Sequence, residues 1–236
     1  MDPGEVLSRG RSHADQRRYP EALADYIWFH EHALDVDRSY YGVRLSFALG
    51  YWHELGKRYR PALAALEDTA KNGAHVLLSG KGDRHLFNDV KSINRELRRG
   101  EATYRLFLDL KRLQPELAQK CARLAVEEVV LARDFELAAD LLPDPETYLL
   151  QISDTLNELV EAKAPSPDAA RNRLEAYVQI YCRDVRLILS VLTGQGNKNA
   201  ARLAKIWAVA LVDQDSVRSM VCNELTKSGS FASAIW

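Results

Sequence analysis

Cysteine, long apolar runs and net charge are all scarce in this sequence, and each scarcity removes a class of protein. Three cysteines (Cys121, Cys182, Cys222) stand far apart with no CxxC. That argues against a disulfide framework and a cysteine-based zinc site, and predicts reduced, buried thiols in a cytoplasmic protein. The longest apolar run, Ile206 to Val212, is too short to cross a bilayer. The opening MDPGEVLSRGR lacks an apolar core, so no secretory signal is expected. A net charge of −1 gives no global field that would draw nucleic acid.

Signals for chemistry are equally sparse. His30-Glu31-His32 would put its histidines about 200° apart on a helix, where they cannot share one metal. His13, His53, His75 and His85 are scattered, and there is no HExxH. GQGNKNA (194–200) lacks the third glycine of a dinucleotide loop, and LSGKGD (78–83) lacks the Ser or Thr of a phosphate loop. No nucleophile stands beside a base in a recognisable pattern. The expectation is a protein with no metal, no cofactor and no catalytic residues.

What is present is helical. No stretch alternates apolar and polar residues as a half-buried strand would, so the fold class is all-α. Pro3, Pro20, Pro61, Pro115, Pro145 and Pro167 read as helix openers, since proline's missing N–H would be unpaired in a first turn anyway. Asp2, Asp144 and Ser166 precede three of them as caps. Helices are expected near 3–17, 20–35, 40–56 and 60–72. A glycine-bearing loop is expected at 72–83 (Gly73, Gly80, Gly82), as a domain boundary or a mobile arm. Further helices carry the stripes Leu86, Val90, Ile93, Leu97 and Leu174, Tyr177, Val178, Tyr181, Val185, Ile188, Leu189, Leu192. The helix at 198–212 is apolar on nearly every side (Leu203, Ile206, Trp207, Val209, Leu211), which implies burial by neighbours or by another subunit.

One block occurs twice. GRSHADQRRYPEALA (10–24) and GYWHELGKRYRPALA (50–64) match at a 40-residue offset in Gly10/Gly50, His13/His53, Arg18/Arg58, Tyr19/Tyr59, Ala22/Ala62, Leu23/Leu63 and Ala24/Ala64. Self-similarity at such a period marks stacked helical hairpins. The glycines would let the second helix of each pair approach the first, the tyrosines would plug the turn, and Ala22 and Ala62 would sit at the crossing. Phe135 and Ala138 repeat the Tyr-to-Ala spacing, with Val126 in place of the glycine.

Small residue, turn aromatic and alanine in this order resemble the tetratricopeptide repeat (TPR), although its usual period is about 34 residues. The resemblance covers 3–72 well and 115–142 in part. It implies a right-handed α-solenoid of antiparallel hairpins, TPR-like over 1–75, with further helical hairpins over 84–236 continuous with the first part. It also implies a groove, lined by the first helix of each pair, that holds a protein or peptide without chemistry: an adaptor, a chaperone-like binder or an inhibitor. The groove stripe predicted from residues 44–54 is Arg44, Phe47, Tyr51 and Glu54. Carried back 40 residues it gives Gly4, Leu7, Arg11 and Ala14, with Asp15 at the edge. In the third repeat it gives Lys120, Arg123, Glu127 and Val130.

The alternative partner is nucleic acid. Residues 81–112 hold nine Lys/Arg against five Asp/Glu, a local excess able to contact phosphates but diluted by Asp83, Asp89, Glu96 and Glu101. No membrane partner is expected, and the C-terminal helices are a candidate surface for self-association.

Overall fold

The computed structural model describes residues 1–161 and 167–227, with side chains from residue 171 in the second stretch. Among them are thirteen α-helices, one 3-10 turn and no strand. Ser166 and the apolar residues of 228–236 lie outside the described residues. All six prolines stand in first turns, as expected. Asp2 accepts from the Glu5 N–H (2.8 Å) and Asp144 from the Thr147 N–H (3.1 Å), so both act as caps.

The chain divides within one helix into two units, Met1–Ala125 and Val126–Trp236. In the first, α1 (Pro3–Asp15) packs on α2 (Tyr19–Val36), and a 3-10 turn (Arg38–Tyr40) leads to α3 (Tyr41–Arg44). Next, α4 (Phe47–Gly56) packs on α5 (Arg60–Leu78), α5 on α6 (Arg84–Glu96) and α6 on α7 (Gly100–Leu113). The helix α8 (Pro115–Leu131) spans the division. In the second unit α11 (Pro167–Gly194) is central, touching α9 (Phe135–Leu141), α10 (Pro145–Glu161), α12 (Lys198–Ala210) and α13 (Asp215–Thr226).

Ala22 and Ala62, the residues expected at the first crossings, are fully buried. Phe29, Ala33, Leu49, Trp52 and Leu66 are buried with them, and Trp52 Nε1 donates to the Ala62 carbonyl (2.8 Å). Gly10 is tight against α2: an added Cβ would lie 2.8 Å from Tyr26 Cε1. Gly50 does not share that role, because a Cβ there meets nothing within 4 Å. The close approach in this pair belongs to Gly56, whose Cβ would lie 3.1 Å from Leu63 Cα. The turn aromatics Tyr19 and Tyr59 lie against each other with ring centres 5.9 Å apart.

Two expectations about boundaries change. Residues 72–78 are helix, because α5 continues through Gly73 to Leu78 and packs on α6; a Cβ on Gly73 would lie 2.6 Å from Val90 Cγ2. The only loop left is 79–83, inside the first unit. The helix expected at 40–56 is broken at Leu45–Ser46, where Ser46 has φ −133° and ψ −92° and its hydroxyl donates to the Gly42 carbonyl (2.7 Å).

The turn of the repeat recurs more widely than the sequence match. Arg17, Arg98, Arg133 and Gly196 all have φ between 56° and 82°. At each, the next residue's N–H returns to the carbonyl five residues before it: Arg18 to His13, Arg99 to Asn94, Asp134 to Val129 and Asn197 to Leu192. This is a left-handed helix stop. Five positions after each left-handed residue stands a small, buried one: Ala22, Thr103, Ala138 and Ala201. At α6–α7 the buried Asn94 donates through Nδ2 to Thr103 Oγ1 (3.1 Å), so a polar pair fills that crossing.

Second-unit packing follows the expected α11 stripe, with Val178, Tyr181, Val185, Ile188 and Leu192 buried. Tyr181 joins three helices: its hydroxyl donates to the Ala208 carbonyl (2.6 Å) and lies 2.9 Å from Ser153 Oγ. Burial pushes that phenol up to about 12. Phe135 lies flat on Gly194, where a Cβ would come within 2.2 Å of the ring.

Candidate partner-binding face

The first helices of the two opening pairs, α1 and α4, lie side by side. They bring together five of the predicted groove residues. Arg11 holds its guanidinium 4.7 Å from the centre of the Tyr51 ring, a cation–π distance. Asp15 stands one turn after Arg11 on α1 and is exposed. On α4, Phe47, Tyr51 and Glu54 follow at helical spacing, so they share one face. Phe47, at the first position of the helix, is 66% exposed. Glu54 accepts from Lys57 Nζ, and that bond holds its carboxyl below the usual range.

Tyr26 of α2 is buried close to these residues. Burial pushes its phenol up to about 12, with Arg11, Asp15 and Tyr51 all in its field. The face therefore carries aromatic side chains and charges of both signs.

The other predicted residues stand elsewhere. Arg44 is buried: its Nε donates to the His30 carbonyl (2.5 Å) and its two terminal nitrogens grip both Asp89 oxygens (2.7 Å each). This clamp ties α2, α3 and α6 together and takes Arg44 off any open surface. The helix break at Leu45–Ser46 is the reason, since the stripe assumed one helix running from Arg44 to Glu54. Beside the clamp, His30 is buried, and burial followed by repulsion from Arg44 lowers its pKa to about 4. Gly4 sits against Tyr40, Leu7 is buried in the core, and Val130 is also buried. On α8, Arg123 is exposed, and Glu127 is half-buried 3.4 Å from Arg183 of α11.

Four of the nine cations of the basic segment are committed. Arg99 pairs with Glu67, Arg105 with Glu101 and Arg112 with Asp109, while Lys91 is buried. Among the described residues no group of His, Cys, Asp and Glu could hold a metal, and no helix is long and apolar enough to cross a membrane. Cys121 and Cys182 are buried, which raises their thiols to about 11 and about 12. Cys222 is exposed, contrary to the expectation of three buried thiols.

No protein-family model, no curated protein and no solved structure matches this chain.

Proposed function

We propose that the chain is a non-enzymatic scaffold that holds a protein or peptide segment on the face formed by α1 and α4. In this reading the helix pairs form a right-handed, TPR-like solenoid, and the first helices of successive pairs present the binding surface. The observation that supports it best is the stack of Arg11 on Tyr51 beside an open Phe47, because it joins the two pairs into one surface. Aromatic and arginine side chains dominate binding energy at protein interfaces. A segment with one apolar anchor for Phe47 and Tyr51, flanked by charges of both signs for Arg11, Asp15 and Glu54, is the matching ligand. Nucleic acid is less favoured, because three of the six arginines of 81–112 already pair with carboxylates and Lys91 is buried.

The experiment is a peptide array probed with the full chain, followed by titration of the captured peptides by fluorescence anisotropy. Phe47→Ala and Tyr51→Ala should each weaken binding by about tenfold or more, with the melting temperature nearly unchanged. Capture undiminished in both variants would overturn the proposal. So would affinity that collapses with salt and transfers to duplex DNA.

A further inference from the structure

α12 is built inside out. Its inward positions are the small residues Ala201, Ala204 and Ala208, all buried against α11 and α10. Its outward positions carry Leu203 (60% exposed), Ile206 (54%) and Trp207 (44%). A helix that stands alone at a surface turns its large apolar residues in and its small or polar ones out. Three large apolar side chains at spacings of three and one, on the face opposite the alanines, are a contiguous patch of the kind that marks an interaction site.

The two ends of the patch say what covers it. Arg202 flanks it on the N-terminal side and Asp213 closes it on the C-terminal side, and both are exposed. Among the described residues neither has an ion pair, whereas Asp215 is taken by Arg218 (2.6 Å). Asp213 is held in position by its own backbone, whose N–H donates to Asn157 Oδ1 (3.1 Å) while Asn157 Nδ2 donates to the Leu211 carbonyl (3.0 Å). The face is thus cationic at one end, anionic at the other and apolar between. Such a surface is complementary to itself when reversed.

We infer that the outer face of α12 is a homodimer interface, closed by a second copy of α12 running antiparallel across a two-fold axis at Ile206 and Trp207. A two-fold contact matches residue i with j and j with i. Arg202 would then meet the partner's Asp213 on each side, and Leu203 would rest on the small residue Ala210 of the partner subunit. This inference concerns the second unit and stands or falls apart from the binding face on α1 and α4.

The test is sedimentation velocity of the full chain across a concentration series. The expected particle has twice the 26.7 kDa mass of one chain. Ile206→Glu and Trp207→Lys should each weaken association at least tenfold without lowering the melting temperature of the monomer. Arg202→Asp and Asp213→Arg should each weaken it singly, and the double charge reversal should restore it. That rescue cannot come from a folding defect. A wild-type chain that stays monomeric throughout, or a dimer indifferent to Ile206→Glu, overturns the inference. Dimers that form only after truncation at Lys227 overturn it too, since residues 228–236 would then be what covers the face.

Discussion

The first two helix pairs carry the same sequence block and close it differently. In α1–α2 the helix stops on a left-handed residue, Arg17, and Gly10 meets Tyr26 at the crossing. In α4–α5 the equivalent residue, Lys57, keeps a helical φ of −68°. Gly50 faces open space, and Gly56 makes the close approach instead. His13 lies 3.1 Å from Asp25 inside its own pair, whereas His53 lies 2.9 Å from Glu96 of α6. What the two pairs truly share is the buried alanine five positions after the turn and the tyrosines that touch each other. Identity at a repeat position therefore predicts the buried crossing better than it predicts the backbone of the turn or a side chain's partner.

The shared feature gives the largest expected effect. Ala22→Arg or Ala62→Arg forces a long cation into a crossing with no exposed surface. Burial of an unpaired charge typically costs several kcal/mol, a large part of a domain's stability. Both variants should be largely unfolded or melt far below wild type by circular dichroism. If one of them melts normally, the two pairs do not share a crossing and the comparison fails at its root.

Next comes the link between the pairs. Arg44→Ala leaves Asp89 and the His30 carbonyl without their donor in a largely buried place. Breaking such a pair costs about 3 kcal/mol, the low end for buried salt bridges because both side chains keep some solvent contact. Urea unfolding should show that loss in Arg44→Ala, and a much smaller one in Tyr51→Ala. The reverse order would put Arg44 on the surface and Tyr51 in the core.

The same cluster makes stability depend on pH. His30 is held neutral by burial and by Arg44, with Asp89 opposing, so its pKa falls from 6.5 to about 4. A lowered histidine pKa means the unfolded chain binds the proton more readily. Its contribution is complete above pH 6.5 and is lost as pH falls from there toward 4, by up to about 3 kcal/mol. His30→Gln should remove that part of the acid limb. An unchanged slope between pH 6.5 and 4 would show that His30 is accessible to solvent when folded.

These cases show where the sequence was legible. Helix existence, the proline starts and the aspartate caps were readable because they are local. Thr103 and Ala201 escaped notice as members of the repeat, although their turns have the same geometry. Gly100 and Lys198 stand where the turn aromatic would be, and no pattern search on Tyr or Phe finds them. On the candidate face, Arg11 meets Tyr51 as the repeat frame expects, whereas Leu7 of the same α1 stripe is buried in the core. Arg44 does not join the face, since the helix breaks at Ser46 and Arg44 is held instead by His30 of α2 and Asp89 of α6. The apolar face of α12 was visible as composition, but its orientation needed the alanines to be placed first.

The smallest effect separates the two pairs most cleanly, because its sign differs between them. Gly10→Ala places a methyl 2.8 Å from Tyr26 Cε1 and 3.1 Å from Asp25 Cβ, so α1 and α2 must shift apart. Overpacking of this kind costs about 1–3 kcal/mol. Gly50→Ala places its methyl in empty space inside α4. There the substitution removes glycine's entropic penalty in a helix, a gain of up to about 1 kcal/mol. For a chain of this size a change of 1 kcal/mol moves the melting temperature by about 2–4 °C. Differential scanning calorimetry should therefore find Gly10→Ala below wild type and Gly50→Ala above it. Loss of stability in both would mean that the second pair closes on Gly50 as the first does on Gly10, and that the repeat extends to its glycines after all.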